Sequence, residues 1–537
     1  FVPREEFDRI VTPEIVLQIV EGLGCYSDRN DTEKNMIAQD IYYGTPDETH
    51  PPCRKLLTAL VLEGREVERI DEFIKEKLSD DCLPLTYDSE SHAGALRCRI
   101  HGDSHTALNA PTNPNQIQFF IEFTEHCQRI MPPFITWEEG TLHNHYIMEE
   151  GGHLPFVFGD SVQTREGGFG TVWKVTIKPG DGYFGCYWSG IEPGVFALKQ
   201  LKQDAQRGPE NTSVEFQHEL GMLLFSQRRA QSQTKKMQQV KDIEIKSHML
   251  QVLASFEIPD SKAKDKMEYF MLFPWADGHL GDFWAKPELK DSPRPVNHRG
   301  WMIYQFAGLA KALQCVHNSK QTNPGDPSTM HFGRHGDIKP TNILFFEHRD
   351  GHSICGIKMS FALADFGLGR LHKQQSVSKD DPDKHAKTAT YQAPEVDVKG
   401  GTLSPKSDVF SLGCVFLEYI TWLLLASPTS DPLDEFSNAR LEKNIHGFDA
   451  DAFYSIDQDT PTSATLKNSV KDWINDKLRP HPDCVEIIDE TLKLIENRML
   501  HSVPKKRIDS HSLVTELERI IGKLKHEEQG DYVTRHW

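Results

Sequence analysis

The first part of the chain carries hydrophobic residues at helical spacing. Ile15, Ile19 and Leu23 fall on one face of a helix predicted to start at Thr12 and Pro13. The same spacing recurs further along, over residues 55–62, 67–78 and 116–131. Stripes of this kind bury themselves against one another. We therefore predict a mainly helical N-terminal domain over residues 1–150.

The hydrophobic pattern changes near residue 150. Short runs rich in β-branched and aromatic residues come next, separated by glycines, at 156–163, 171–177 and 195–201. Longer stretches with helical spacing come after Trp301. The pattern predicts an α+β chain, in which the helical domain precedes a second domain over residues 151–525 and a short C-terminal tail over residues 526–537.

One apolar run is long enough to be weighed as a membrane span. It extends from Val409 to Ala426, but Glu418 lies in its middle. A charged side chain at that depth is costly in a bilayer, whereas a large globular domain can pair it internally. We therefore predict a buried core helix and no membrane span.

The overall charge narrows the range of partners. The chain of 537 residues has 60 Lys and Arg and 79 Asp and Glu, so its formal net charge is −19. Sequence-independent binding of DNA or RNA needs a basic excess, so no nucleic-acid partner is expected. The ten cysteines form no CxxC pair, and the N-terminus lacks the basic and apolar pattern of a signal peptide. These features predict an intracellular protein, cytoplasmic or nuclear.

A glycine-rich segment lies between two of the predicted strands. Gly167, Gly168 and Gly170 carry no Cβ, so the backbone there can approach a phosphate chain. Alone, the segment is equally typical of a plain hairpin turn. A phosphate-binding role therefore requires charged residues elsewhere in the chain that could complete such a site.

The next strand carries a lysine on an inward face. Because side chains alternate along a strand, Lys199 lies on the same face as Ala197. A lysine that faces the interior is costly unless it is paired. The helix predicted after this strand offers Glu215 and Glu219 as partners.

Two further segments bring together charged and amide side chains. Asp337, Lys339 and Asn342 lie in one predicted loop, and Asp365 follows a predicted strand. Carboxylate and amide oxygens are ligands that Mg²⁺ accepts together with substrate phosphates. Asn342 and Asp365 are therefore candidate Mg²⁺ ligands.

Taken in order, and closed by Tyr391-Gln392-Ala393-Pro394-Glu395, these motifs resemble the eukaryotic protein kinase family of the Ser/Thr type. The resemblance covers residues 155–523, and residues 333–340 and 411–418 look like kinase-like proteins of filamentous fungi. It implies a bilobal fold, with a five-stranded antiparallel N-lobe over about 155–275 and a mostly helical C-lobe over about 276–525. ATP and Mg²⁺ are the implied cosubstrate and metal.

The resemblance also implies catalytic roles. Lys199 should bind the α- and β-phosphates and pair with Glu219, which fits the family spacing better than Glu215. Asp337 should accept the proton of the substrate hydroxyl, and Lys339 should neutralise the γ-phosphate. Asn342 and Asp365 should hold Mg²⁺, and Arg507 should pair with Glu395 inside the C-lobe.

The implied nucleotide-binding residues come from three strands and a hinge. The phosphates should be covered by Gly167, Gly168 and Gly170, and the adenine should pack on Val172 and Ala197. The adenine should also be bordered by the gatekeeper Leu272 and by the hinge residues Phe273 and Trp275.

The chain departs from the family pattern at two positions. Arg165 replaces the first glycine of the loop, where the pattern is least demanding. Gly336 replaces the Arg that normally precedes the catalytic Asp and pairs with a phosphorylated activation loop. This non-RD loop predicts activity that does not require loop phosphorylation and is set by residues 1–150, through a protein partner or through autoregulation.

Three functions compete to explain the motifs. The phosphate, metal and base positions are all occupied by the expected residue types, which favours an active kinase that phosphorylates Ser and Thr of protein substrates. A pseudokinase, a scaffold that binds nucleotide without turnover, is the alternative. A small-molecule kinase of the aminoglycoside type ranks last, because Tyr391–Glu395 and Asp408–Gly413 are protein-kinase features.

Overall fold

The computed structural model describes the chain in separate stretches. The residues described are 4–46, 50–76, 78–83, 85–88, 95–98, 114–130, 135–137, 143–148, 154–158, 164–166, 170–177, 182–184, 194–201, 209–237, 248–259, 266–286, 289, 297–318, 320–323, 326–348, 353–365, 390–444, 447, 449–456 and 462–529.

The described stretches contain fourteen α-helices. They are α1 Arg4–Ile10, α2 Pro13–Gly22, α3 Asp31–Tyr43, α4 Arg54–Glu63, α5 Arg69–Lys75, α6 Pro114–Ile130, α7 Pro209–Met237, α8 Leu280–Ala285, α9 Asn297–His317, α10 Pro405–Leu425, α11 Pro432–Ala439, α12 Asn468–Asp472, α13 Glu486–Leu494 and α14 Ser510–Gln529.

The strands are shorter. They are β1 Leu85–Asp88, β2 Ala95–Cys98, β3 Ile135–Trp137, β4 Asn144–Ile147, β5 Val157–Phe158, β6 Thr164–Glu166, β7 Gly170–Thr176, β8 Gly182–Phe184, β9 Val195–Leu201, β10 Ala254–Pro259, β11 Met267–Pro274, β12 Gly278–His279, β13 Lys320–Asn323, β14 Asp326–Phe332, β15 Ile343–Glu347, β16 Met359–Leu363, β17 Glu442–Lys443, β18 Asp449–Ala450, β19 Tyr454–Ile456 and β20 Ala464–Leu466.

The chain divides into two compact units. The first unit comprises residues 1–185, 194–209 and 253–272, and the second comprises residues 186–193, 210–252 and 273–537. The α+β class predicted from the sequence is confirmed. The predicted domain boundaries near residues 150 and 525 stay predictions.

The N-terminal part of the first unit is helical, as predicted. The side chain of Thr12 accepts a hydrogen bond from the backbone of Ile15 at the start of α2, and Asn30 with Glu33 forms a capping box at α3. The helices enclose a core of fully buried side chains, which includes Val16, Leu56, Phe73 and Phe123. Removal of these apolar surfaces from water is the main stabilising contribution to this core.

The first unit also contains a seven-stranded sheet. Its strand order is β4-β10-β11-β9-β7-β5, with β6 paired to β7. The expectation of five antiparallel strands is therefore wrong. One reason is that β4 adds to the exposed edge of β10 in parallel register. The buried Ser255 hydroxyl binds both His143 at 2.8 Å and His145 at 2.7 Å, which fixes this edge.

The second unit is built around two long helices. Helices α9 and α14 pack together, and α10 lies in the interior. Helix α10 is the one described helix that is long and apolar enough to cross a membrane, but 89% of its apolar window is buried in the protein. The prediction of a core helix at this position is confirmed. A small sheet has the strand order β12-β15-β16, and Asp365 comes two residues after the end of β16.

Candidate active site

Four of the predicted nucleotide-binding residues share one face of the sheet in the first unit. The antiparallel register of β7 and β9 pairs Gly170 with Leu201, and Val172 with Lys199. Because side chains alternate along a strand, Ala197 lies on the same face as Lys199. The opposite face carries the buried Leu198 and belongs to the hydrophobic core.

The backbone at Gly170 leaves no space for a side chain. A Cβ built there would lie 2.4 Å from the carbonyl oxygen of Gln200, and 3.7 Å from the Cε of Lys199. A glycine is therefore required where β7 approaches β9. The other two glycines of the motif, Gly167 and Gly168, lie outside the described residues.

The predicted gatekeeper and hinge lie at the end of β11. Leu272 is fully buried and pairs with Ala254 of β10, and Phe273 is 6% exposed. Trp275 follows directly and is half-buried. The hinge role of these residues stays a prediction.

The predicted partners Lys199 and Glu219 lie in different units. Lys199 belongs to β9 of the first unit, whereas Glu219 is a buried residue of α7 in the second. Their ion pair stays a prediction. The side chain of the alternative, Glu215, lies outside the described residues.

Two of the four predicted catalytic residues, Asp337 and Lys339, are in contact with each other in the second unit. The Oδ2 atom of Asp337 lies 2.8 Å from Nζ of Lys339. The amide of Asn342 donates to the same Oδ2 at 3.0 Å and to the Asp337 carbonyl at 2.7 Å. The Asp337 and Lys339 side chains are 18% and 23% exposed, so the carboxylate is held in place while it stays open to solvent.

Asp408, near the start of α10, holds the backbone of the predicted catalytic loop in place. Asp408 accepts hydrogen bonds from the backbone of His335 and Gly336, both at 2.8 Å, and from Nε2 of His317 at 2.9 Å. Burial alone would raise the pKa of Asp408, but the hydrogen bond from His317 and the neighbouring basic groups hold this pKa below its usual value. Gly336 adopts a φ of 81°, which glycine does without strain.

The positioning role of Asp408 is one that sequence reasoning missed. In the sequence, this residue stands out as a charge at one end of an apolar run and as the first residue of the protein-kinase feature Asp408–Gly413, but neither observation gives its partners. A buried carboxylate at the start of a core helix needs several donors, and this requirement was the available signal.

The imidazole of His335 joins the catalytic loop to the strand before Asp365. The ring is fully buried, its Nε2 lies 2.9 Å from the Ala364 carbonyl, and its Nδ1 accepts from the Asp337 backbone at 3.3 Å. This pattern assigns the ring proton to Nε2. The ring thereby links the backbone of Asp337 to the residue that directly precedes Asp365.

The donor set at Asn342 and Asp365 fits Mg²⁺. The backbone N–H of Ala364 donates to the Asn342 carbonyl at 2.9 Å, so the residue next to Asp365 is fixed to Asn342. Asp365 adopts a φ of 64°, which is uncommon for a residue other than glycine and typical of functional positions. One carboxylate and one amide supply the hard oxygen atoms that Mg²⁺ combines with phosphate oxygens.

A buried ion pair joins the Ala393-Pro394-Glu395 segment to Arg507 within the second unit. Arg507 donates to Glu395 through two nitrogens, at 2.8 and 3.0 Å, and both side chains are almost fully buried. The Ser407 hydroxyl also donates to Glu395 at 2.6 Å. The predicted pair of Glu395 with Arg507 is confirmed.

Comparison with known proteins agrees with this geometry. A family model described as the protein kinase domain matches residues 308–517, which include Asp337, Asn342, Asp365 and the Glu395–Arg507 pair. Residues 308–517 are therefore assigned to a protein kinase domain. The match begins within α9, so Lys199 and Glu219 precede it.

Curated kinases are similar to parts of the chain. A protein of Dictyostelium discoideum, named as a probable serine/threonine-protein kinase, is 29% identical over 41% of this chain and 23% of its own length. The mitogen-activated protein kinase HOG2 of Zygosaccharomyces rouxii is 30% identical over 32% of this chain and 36% of its own length. The mitogen-activated protein kinase HOG1 of Wallemia muriae is 34% identical over 24% of this chain and 36% of its own length. The chain thus spans well under half the length of these relatives, two of which are fungal.

Proposed function

We propose that this protein is a serine/threonine protein kinase with a non-RD catalytic loop. The observation that carries the proposal is the Asp337 carboxylate, whose Oδ2 atom lies 2.8 Å from Nζ of Lys339 and accepts from the Asn342 amide at 3.0 Å. The residue before Asp365 is in turn bonded to Asn342. Phosphoryl transfer depends on positioning and on neutralisation of charge more than on covalent catalysis. This kinase domain has a group for each of those tasks.

In the proposed reaction, the oxygen of a Ser or Thr hydroxyl attacks the γ-phosphorus of ATP. A bond forms between that oxygen and the phosphorus, and the bond from the phosphorus to the β,γ-bridging oxygen breaks, which leaves ADP. Asp337 orients the hydroxyl and accepts its proton, while Lys339 offsets the negative charge of the phosphoryl group in transit. Lys at position 339 resembles the Ser/Thr type of catalytic loop.

Bound Mg²⁺ would neutralise charge on the β- and γ-phosphates. Asn342 and Asp365 are the residues that would hold it, and Lys199 would contact the α- and β-phosphates. The shared sheet face of Gly170, Val172, Ala197 and Lys199 supports a nucleotide role for these positions.

Metal-dependent nucleotide binding tests this assignment. We expect ATP with Mg²⁺ to raise the melting temperature by several degrees, because a ligand that binds only the native state at about 100 times its Kd stabilises it by about 2.7 kcal/mol. ATP with EDTA should give a much smaller shift. Asp365→Asn should reduce the difference between the two conditions, whereas the exposed Asp449→Asn serves as the matched control. Equal shifts with and without metal would favour the pseudokinase alternative.

We further propose that loop phosphorylation does not control activity and that the N-terminal region does. Gly336 offers no cation for a phosphorylated loop, and its N–H is already used by Asp408. The helical region, through a protein partner or through autoregulation, would then set the activity. We also propose an intracellular location, cytoplasmic or nuclear. The eight cysteines whose side chains the structure describes are free thiols, which supports a reducing compartment.

Two measurements test this regulation. Phosphatase-treated protein should keep most of its activity, and removal of the N-terminal helices should change activity in one direction. The truncation is best made at residue 131, because β3 and β4 pair with β8 and β10 and should remain. Loss of activity on dephosphorylation, followed by recovery through autophosphorylation of Ser376, Ser378 or Thr390, would contradict the proposal.

A further inference from the structure

The segment just before Ala393-Pro394-Glu395 is tied to a half-buried carboxylate that the sequence motifs do not include. The hydroxyl of Thr390 donates to Oδ1 of Asp451, and Thr390 is only 6% exposed. Asp451 lies between two short hairpins that come after α11, the first formed by β17 and β18 and the second by β19 and β20. These hairpins therefore contact the segment that leads into Pro394 and Glu395.

Asp451 is itself held through both its side chain and its backbone. The Ser437 hydroxyl donates to its Oδ2 at 2.7 Å, and Nε of Arg440 donates to its backbone carbonyl at 3.0 Å. The guanidinium of Arg440 is fully buried, at 3.9 Å from the ring centroid of Phe436 and 4.1 Å from that of Phe453. A charge clamped between two aromatic rings in a dry environment has little freedom to move.

The neighbouring residue is fixed by the same cation. The hydroxyl of Tyr391 donates to Glu418 at 2.7 Å, and Arg440 donates to the other oxygen of Glu418 at 3.1 Å. Arg440 also lies 3.6 Å from Oδ2 of Asp451. Two consecutive hydroxyls, of Thr390 and Tyr391, are thus bound to two carboxylates that share one buried arginine.

The segment fixed in this way borders the candidate catalytic centre. Tyr391, Gln392 and Ala393 line a pocket together with Asp337. In the proposed function, a protein substrate must present its hydroxyl to Asp337, so the wall formed by this segment has to be ordered beforehand.

We propose that Asp451 is a positioning residue that orders the substrate-binding wall 390–396 in the absence of any phosphate. This inference rests on the proposed kinase function and names how the same site is organised. It also excludes Thr390 as an activating phosphorylation site. A phosphate of charge about −1.5 to −2 there would lie beside the carboxylate of Asp451 and next to the Tyr391–Glu418 contact.

The experiment uses the full chain and three Thr variants. Thr390→Val removes the hydroxyl at similar volume, Thr390→Ser keeps it, and Thr491→Val is the matched control. Thr491 is also buried, and its hydroxyl donates to the Ile487 carbonyl of its own helix, α13, rather than to a residue of the wall. Hydrogen exchange is followed at the amides of Val396, Asp397 and Val398, which bond to Ala393 and Pro394 in the native structure.

We expect exchange at these amides to be about tenfold faster in Thr390→Val, which corresponds to about 1.4 kcal/mol. Thr390→Ser and Thr491→Val should remain within about twofold of wild type. Asp451→Asn, which keeps an acceptor but loses the charge, should be intermediate. Exchange in Thr390→Val equal to that of Thr491→Val would overturn the inference.

Kinetics give a second readout. With myelin basic protein or dephosphorylated casein as the probe substrate, Thr390→Val should raise KM for the protein about tenfold and leave KM for ATP unchanged. An equal rise in both KM values, or phosphate found on Thr390 of active enzyme, would overturn the positioning role. If wild type transfers no phosphate, the proposed function fails, but the exchange measurement still decides whether Asp451 orders the wall.

Discussion

Replacement of Asp337 by Asn is expected to lower kcat by a factor of about 10² to 10⁴, the usual contribution of a positioned acid or base. The amide keeps the shape of the side chain but cannot accept the proton of the substrate hydroxyl. It also loses the charge that now faces Lys339 at 2.8 Å. Phosphate incorporation under saturating ATP and Mg²⁺ measures the change.

The Asp337→Asn variant should remain folded. The side chain of Asp337 is partly exposed, so loss of its charge should change the free energy of unfolding by about 1 kcal/mol at most. Asp449→Asn, at a position 59% exposed, is the control for a simple loss of charge and should keep full activity. Turnover of Asp337→Asn near that of wild type would show that the assigned role of Asp337 is wrong.

Replacement of Arg507 by Met is expected to destabilise the protein by about 3–5 kcal/mol, because it leaves the carboxylate of Glu395 buried without a charged partner. Arg507 is fully enclosed and also donates to the backbone carbonyls of His501 and Lys406. Urea unfolding followed by tryptophan fluorescence gives the change. Arg519→Met, which breaks the pairs that the half-exposed Arg519 makes with Glu490 and Glu516, should cost less than about 1 kcal/mol.

The effect of Arg507→Met should depend on pH. Burial alone would raise the pKa of Glu395, but hydrogen bonds and charge from Arg507 hold this pKa below its usual value. A lowered pKa in the folded state means that the pair stabilises the protein above the pKa of the unfolded chain, near 4.5, and loses this contribution as the pH falls further. Wild type and variant should therefore converge in stability on acidification. A constant difference down to strongly acidic pH would contradict this account of the pair.

The local parts of the site were predictable because each depends on short-range sequence. Asp337, Lys339 and Asn342 lie within six residues of one another, so their contact follows from one loop. The shared face of Ala197 and Lys199 follows from strand alternation, whereas the register that pairs Val172 with Lys199 was seen only in the structure. The buried helix at 405–425 followed from the cost of Glu418 in a bilayer.

The contacts that hold these parts in place were not predictable from spacing. Asp408 lies 73 residues after His335 in the chain, and Asp451 lies 61 residues after Thr390. No periodic pattern in the sequence predicts such pairs, because they depend on how distant parts of the chain come together in the fold. The parallel strand β4 was missed because its four residues, Asn-His-Tyr-Ile, do not alternate between polar and apolar types, although their burial alternates in the structure.

Transfer of labelled phosphate from [γ-³²P]ATP tests the central claim most directly. Wild-type protein with Mg²⁺ should label myelin basic protein or dephosphorylated casein, and acid hydrolysis should release the label as phosphoserine and phosphothreonine. Asp337→Asn should give a signal at least about 100-fold lower under the same conditions. Tight binding of ATP by the wild type without any label in either protein would contradict the claim and identify a pseudokinase.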